Sequence, residues 1–237
     1  MKRLALCCLL LVLPSMHAAA ADELQPFTVR YAWTLKGLSA GTSTVTLKRL
    51  AGDRWSYSSR SVARGLFRLI ASGDITQDST MRVIGTQVLP ERYRGDDGTG
   101  ATGRDVQLDF DWQALRARGI YEDTAVDIAI EPGVHDDMSV QIALILALNK
   151  GTPPTGFKLV DRNLFKEYTY STAGTAQLDT PLGRQQAVLF RSQRIGSKSS
   201  TLYWCAPALG FLPIKVERHD ANDKVEWAMN MEALTRP

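Results

Sequence analysis

The residues that most resemble catalytic machinery are a serine flanked by glycines and a distant histidine. The segment GLSAG at 37–41 matches the G-x-S-x-G pattern of hydrolase nucleophile elbows. That chemistry needs a strand, a strained turn and a helix, so that the serine is exposed beside an oxyanion hole. Here a threonine-rich alternating segment follows, which indicates a hairpin turn instead. A serine hydrolase that uses Ser39 and His219 is therefore only the alternative hypothesis.

A glycine-rich segment at 98–103, GTGATG, matches the G-x-G-x-x-G pattern of dinucleotide sites. Such a site needs a helix that opens on the third glycine, so that its N–H groups meet the pyrophosphate. Residues 104–112 alternate like a strand instead. We predict a hairpin loop here, and no bound cofactor.

Acidic residues occur in two arrangements that could do chemistry. His135, Asp136 and Asp137 are adjacent, but adjacent side chains point apart and a third ligand is not identifiable, so we predict no metal site. A role of Asp136 or Asp137 in capping a helix explains the acids better. Asp109 and Asp111 share one strand face and could pair as acid and base, although a solvated face is the simpler interpretation.

A basic and apolar segment follows residue 59. Arg60, Arg64 and Arg68 recur every four residues, and residues 66–70 are mostly apolar. On a helix this spacing would place a basic stripe beside an apolar one, as suits an anionic membrane surface. Because Gly65 weakens a helix and the run is short, we favour the alternative in which residues 66–70 pack onto a sheet while the arginines stay solvated. The sequence thus predicts no catalytic, cofactor-binding or metal-binding residues.

The N-terminus has the three parts of a secretory leader. Lys2 and Arg3 supply the positive charge, residues 4–13 form an apolar run, and residues 18–21 are alanines that suit cleavage after Ala21. Cys7 and Cys8 lie inside the apolar run, too early for a lipid-modified cysteine, so we predict export without a lipid anchor. The mature chain then keeps only Cys205, which we interpret as a small buried hydrophobe.

Composition limits the class of protein. With 237 residues, of which 44% are hydrophobic and 22% charged, the chain is of ordinary globular type, and we predict a single β-rich domain over 22–237. Losing the leader lowers the formal net charge of +3 by two, so a nucleic-acid partner is not expected. The apolar run at 138–148 is about half the length of a membrane span, so we predict a soluble periplasmic monomer without a transmembrane span.

The hydrophobic pattern is mainly that of short strands joined by turns. One exception is an all-round apolar helix over about 136–149, which Pro153 and Pro154 terminate. Because no side of that helix can face water, it must lie inside a curved antiparallel sheet or open barrel. The predicted strands, about a dozen, are residues 27–35, 42–47, 54–61, 74–83, 104–112, 114–120, 165–172, 176–179, 185–193, 199–204, 212–219 and 224–233.

Several of these residues resemble one known family. They are the capped helix start DMS at 137–139, the turn LDTPLG at 178–183 and the strand pair LYWCAPALGFLPIK at 202–215, with Gly37 and Gly41 as a weaker feature. The mature chain resembles the domain of unknown function 3108 family of periplasmic proteins from Gram-negative bacteria. The resemblance implies a β-rich envelope protein with no assigned reaction and no catalytic residues to transfer. Cys205 departs from the apolar residue expected at its position.

These observations predict a non-enzymatic envelope protein. It would bind an apolar or lipid-like ligand, or a periplasmic protein partner, in or on its curved sheet. The alternatives are an envelope serine hydrolase using Ser39 and His219, and a structural assembly factor with a solid core. The volume of any cavity and the separation of Ser39 from His219 distinguish them.

Overall fold

The computed structural model describes residues 24–69, 73–99 and 105–237, so the predicted leader lies outside the described residues. In these residues one α-helix, α1 (Ser139–Asn149), and two 3-10 helices, Gly65–Leu69 and Pro207–Leu209, accompany a single large sheet. Its strands are β1 (Phe27–Leu35), β2 (Leu38–Arg49), β3 (Arg54–Ala63), β4 (Ile75–Ile84), β5 (Gln87–Asp96), β6 (Val106–Asp111), β7 (Arg116–Tyr121), β8 (Thr124–Ala129), β9 (Val134–His135), β10 (Gly156–Asp161), β11 (Leu164–Thr180), β12 (Gly183–Arg194), β13 (Ser200–Ala206), β14 (Leu212–His219) and β15 (Val225–Thr235).

The sheet is one continuous curved surface whose two edges stay unpaired with each other. Its strand order is β8-β7-β6-β5-β4-β3-β2-β1-β15-β14-β13-β12-β11-β10-β9, and all pairs are antiparallel except β9 with β10. The two ends of this order approach each other where the Arg162 guanidinium lies 5.7 Å from the centre of the Tyr121 ring. The structure confirms the predicted mainly β class, as a curved sheet that does not close.

The antiparallel order fixes which connections share an end of the sheet. Strand β1 ends at one end of the sheet, which we call the upper end. Because neighbouring strands of this part of the sheet run in opposite directions, the loops 36–37, 195–199 and 220–224 lie at that end too, as do residues 64–69, 73–74, 97–99 and 105. Helix α1 follows β9 and therefore begins at the upper end. It finishes at the lower end, where the Asn149 side-chain amide donates a hydrogen bond to the Gly210 carbonyl oxygen, 3.1 Å away.

Helix α1 is enclosed by the sheet, as its all-round apolar sequence predicts. Ile142 and Leu146 belong to the main core, which extends across most of the strands. Leu144, on another side of the helix, belongs to a second cluster with Tyr170 and Phe190. Since opposite sides of the helix pack on different parts of the sheet, both sides are needed to fill the interior.

The start of α1 is fixed by a buried cap. Asp136 Oδ1 accepts hydrogen bonds from the backbone N–H groups of Met138 and Ser139, at 2.8 and 2.7 Å. Ser139 Oγ accepts one from the backbone N–H of Asp136, at 2.9 Å, which completes the reciprocal pattern of a capping box. The Ser79 hydroxyl donates to Asp136 Oδ2 at 2.7 Å, which ties the helix start to β4. The helix predicted over about 136–149 is confirmed, although it begins at Ser139, and the Asp136 side chain caps the turn that leads into it.

The turn predicted over 37–41 is shorter than expected. Only Lys36 and Gly37 form the turn, with Gly37 at a φ of 80°, and β2 already begins at Leu38. Gly41 lies within the strand, where an added Cβ would stand 2.1 Å from the Val62 carbonyl oxygen. Gly41 therefore serves a close approach of two strands, not a turn, and Ser39 lies on a strand.

For the basic and apolar segment, both the helical stripe and the packing of residues 66–70 onto a sheet are wrong, whereas Arg60, Arg64 and Arg68 are exposed as expected. Arg60 lies on β3 in an ion pair with Asp74, whereas Arg68 lies on the 3-10 helix, so the arginines form no continuous helical stripe. Leu66 and Leu69 are 80% and 84% exposed rather than packed onto the sheet. A five-residue 3-10 helix is too short to present one face to a sheet.

Candidate functional site

Ser39 and His219, the residues of the hydrolase alternative, lie on different parts of the sheet. Ser39 pairs with Thr34, which pairs with Ala228, which pairs with Glu217. Three strand spacings, roughly 14 Å, therefore separate Ser39 from Glu217, the residue that holds the His219 ring. His219 Nε2 lies 3.0 Å from Glu217 Oε2. The structure does not bring the two residues together, so Ser39 and His219 do not form a catalytic pair.

The other predicted chemical groups have structural roles. Asp109 forms an ion pair with Arg92, with 3.0 Å between Asp109 Oδ1 and Arg92 Nε. Asp111 accepts hydrogen bonds from two backbone N–H groups in the turn after β6. Both acids therefore have structural partners on an exposed face of the sheet. Cys205 is fully buried, and this burial raises the pKa of its thiol to about 12, so the thiolate does not form near neutral pH. The glycine-rich segment at 98–103 lies partly outside the described residues and leads into strand β6, not a helix.

The side chains of His135, Asp136 and Asp137 diverge. The His135 ring packs edge-on against Phe157, with centroids 5.3 Å apart, and burial lowers its pKa to about 4. Asp136 caps the helix, and Asp137 faces the concave side of the sheet. The three residues therefore do not share a ligand.

A different acidic cluster was missed by the sequence analysis. Asp96, Asp97 and Asp105 flank the β5–β6 loop, and carboxylate oxygens of all three lie within 4.8 Å of one another. This oxygen-rich set is of the kind that hard cations such as Ca²⁺ prefer. Only the structure reveals this cluster, because the loop separates Asp105 from Asp96 and Asp97 in the sequence.

The main concave feature is a cavity between the start of α1 and the sheet. Its volume is about 270 Å³, close to the lower end of the range of about 300–1000 Å³ for small-molecule sites. Two larger depressions, of about 360 and 340 Å³, lie around β10 and β11 and are lined mostly by exposed side chains. The cavity by the helix is instead walled by buried or half-buried residues: Tyr31, Val45, Tyr57, Ser59, Gln77, Asp137, Met138, Gln141, Thr201, Tyr203, Pro213, Val216, Trp227 and Met229.

The cavity wall mixes aromatic and aliphatic side chains with polar ones, and several of the polar groups are engaged within the wall. The Tyr31 hydroxyl donates to the Pro213 carbonyl oxygen at 2.8 Å, and the Tyr57 hydroxyl donates to the Gln141 side-chain oxygen at 3.2 Å. These phenols are thus occupied within the wall, and what they offer to the cavity is ring surface. The sequence does not reveal this wall, since its aromatic residues come from distant strands.

Asp137 is the one Asp, Glu, Lys or Arg among the described residues that line the cavity. Burial raises the pKa of its carboxyl group, and the negative charges of Asp161 and Asp136 raise it further, while Lys166 and Arg162 oppose them. Asp161 is itself in an ion pair with Lys166. The cavity therefore holds a carboxyl group that its surroundings make reluctant to ionise.

Comparison with known proteins identifies the family. Residues 26–226 match the family model described as a protein of unknown function, DUF3108. The chain belongs to the DUF3108 family. The resemblance inferred from residues 137–139, 178–183 and 202–215 is therefore confirmed. No curated protein matches the sequence.

Comparison with solved structures finds similar proteins at low sequence identity. A β-barrel-like protein of domain of unknown function DUF1849 from Brucella abortus superposes with a TM-score of 0.61 at 11% identity, covering 90% of this chain and 98% of that one. MucB, in its complex with MucA from Pseudomonas aeruginosa, gives a TM-score of 0.38 at 9% identity, covering 92% of this chain and 53% of that one. The first comparison establishes a β-barrel-like architecture.

The upper end of this DUF3108 protein carries its most exposed aliphatic side chains. Leu69, Leu66, Leu38 and Ile195 are 84%, 80%, 65% and 61% exposed, more than any other large aliphatic residue of the described chain. All four lie in or beside upper-end loops, at the end where the lining residues of β4, β13 and β15 are located. No helix among the described residues is long and apolar enough to cross a bilayer.

Proposed function

We propose that this protein is a non-enzymatic periplasmic envelope protein that holds part of an apolar, lipid-like molecule in the concave cavity. The observation that carries the proposal is the set of aromatic and aliphatic side chains in the wall of that cavity, which lies beside a helix that the sheet encloses. In this proposal residues 1–21 are a cleaved leader and residues 22–237 form one domain.

The surroundings of the cavity support an amphiphilic ligand. A volume of about 270 Å³ accommodates one end of such a molecule rather than a whole phospholipid. The remainder would extend past the upper end, where exposed Leu38, Leu66 and Leu69 offer apolar contacts. Exposed aliphatic residues grouped at one end of a protein are typical of sites that meet apolar ligands or surfaces.

Filling the cavity tests the proposal. Ser59 lines the cavity on β3, and its neighbour Ser58 does not. We expect Ser59→Phe to weaken binding of the apolar fluorophore N-phenyl-1-naphthylamine at least about tenfold, because the new ring occupies space that the probe needs. The measurement is a fluorescence titration of the wild type and both variants.

Ser58→Phe is the matched control, because adjacent strand residues face opposite sides of the sheet. It should bind the probe as the wild type does. Equal binding by all three proteins, or no binding by the wild type, would contradict the proposal.

A protein partner is the second candidate, and it is favoured by an unpaired strand edge. Strand β11 pairs with β10 only as far as Thr169, so its residues 171–180 have β12 on one side and no strand on the other among the described residues. An edge of this length can accept a strand from another chain. A partner bound there would compete with added peptides of extended conformation but not with N-phenyl-1-naphthylamine.

A further inference from the structure

The wall of the cavity combines aromatic rings with a single carboxyl group. Tyr31, Tyr57, Tyr203 and Trp227 come from four different strands and line the same space as Asp137. Rings of tyrosine and tryptophan attract cations through their faces, and cages of such rings bind ammonium groups in many proteins. A carboxylate beside the rings adds the opposite charge that such a ligand needs.

Asp137 is available to a ligand. Among the described residues no side chain or backbone group forms a hydrogen bond or ion pair with its carboxyl group, whereas the adjacent Asp136 accepts three hydrogen bonds. Asp136 also satisfies the N–H groups at the start of α1, which offsets the partial positive charge of the helix terminus. The Asp137 carboxyl group is therefore free on the side that faces the cavity.

The local charge balance favours a cation as well. Three acids, Asp136, Asp137 and Asp161, lie together at the upper end, and Asp161 is the partner of both Lys166 and Arg162. The positive charges are thus directed to Asp161, and the Asp137 carboxyl group on the cavity side has no cation of its own among the described residues. A desolvated carboxylate without a counter-ion is costly, so Asp137 keeps its proton in the free protein and ionises when an incoming cation supplies the counter-ion.

We propose that the cavity recognises the ammonium group of an amphiphile, with Asp137 as the counter-ion and the tyrosine and tryptophan rings around the cationic head. The inference rests on the proposed apolar-ligand function and names the chemistry of the bound end. The ligand class is a primary or methylated organic ammonium ion that carries an apolar chain.

Matched single-chain ligands test the inference. The affinities are measured by calorimetric titration at ligand concentrations below those at which micelles form. We expect dodecyltrimethylammonium to bind about tenfold to a hundredfold more tightly than dodecanoate, because its contact with Asp137 is charge-assisted. Asp137→Asn should remove this preference. Asp179→Asn, which changes an exposed acid on β11, should keep it.

The pH dependence gives a second readout that a purely structural role of Asp137 would not produce. Because the pKa of Asp137 is raised, the free carboxyl group holds its proton, and binding a permanent cation releases it. The affinity for dodecyltrimethylammonium should therefore rise from about pH 6 to about pH 9 in the wild type and stay flat in Asp137→Asn. The titratable and charged groups around Asp137 are Asp136, Asp161, Arg162, Lys166, Tyr93, Tyr168, Tyr170 and Tyr203. Burial raises the pKa of the four tyrosines, so they stay neutral over this pH range.

The outcomes separate this inference from the proposed function. If dodecyl maltoside or dodecanoate binds as tightly as dodecyltrimethylammonium, or if Asp137→Asn keeps the preference, the ammonium inference is overturned and the apolar-ligand function stands. If none of these ligands binds, both are overturned. Two supporting results distinguish the source of the ligand. If the protein also prefers a short-chain phosphatidylethanolamine to the matching phosphatidylglycerol, the ligand is a membrane lipid. If it binds dodecyltrimethylammonium but neither phospholipid, the ligand is a free amphiphilic amine.

Discussion

Replacing Leu144 with alanine lowers the free energy of unfolding by about 2–5 kcal/mol, and Leu146→Ala lowers it by a similar amount. Both side chains are almost fully buried, at 3% and 6% exposure. They point about 200° apart around the helix, and they belong to different hydrophobic clusters. Each substitution therefore opens a cavity on a different side of α1.

Urea melts of the two variants provide the measurement, with Leu164→Ala as the control. Leu164 is 52% exposed, so its truncation should change stability by no more than about 0.5 kcal/mol. If Leu144→Ala or Leu146→Ala melted like the control, one side of the helix would face solvent. The cavity that depends on the enclosed helix would then lose its structural basis.

Removing the buried cap has the second large effect. Asp136→Ala leaves the N–H groups of Met138 and Ser139 and the Ser79 hydroxyl without their acceptor inside the protein. Unsatisfied buried donors cost about 1–3 kcal/mol each, partly relieved by local movement, so we expect a loss of about 3 kcal/mol in unfolding free energy. Thermal and urea denaturation of the variant measure it.

Asp111→Ala is the matched control for the cap. Asp111 Oδ1 also accepts from two backbone N–H groups, of Gln113 and Ala114, but at an exposed turn where water replaces it. We expect a loss of less than about 1 kcal/mol. Equal losses in the two variants would show that burial of the Asp136 cap contributes nothing.

The strands and the helix could be predicted because their patterns are local. The strand predicted at 27–35 coincides with β1, and the apolar run at 138–148 lies almost entirely within α1. Periodicity fixes which residues face the interior, and breakers such as Pro153 and Pro154 fix where an element stops. Local patterns also misled at Gly41, because a close approach to Val62 on another strand looks the same in sequence as a turn.

The cavity could not be predicted, because it depends on register between distant strands. Tyr31 and Trp227 are far apart in sequence and meet only through the pairing of β1 with β15. The adjacent acids Asp136 and Asp137 were equivalent candidates for the cap in the sequence. The structure separates their roles, since the first carboxylate turns to the helix N–H groups and Ser79, and the second faces the cavity.

The most direct test of the central claim is native mass spectrometry of the exported protein, purified without detergent. The proposal predicts a non-covalent mass excess that suits one small amphiphile, that disappears on denaturation and that is strongly reduced in Ser59→Phe but not in Ser58→Phe. The released molecule is then identified by its own mass. A wild-type protein that carries no excess mass, and gains none after incubation with an extract of envelope lipids, would contradict the claim that the concave cavity binds a ligand.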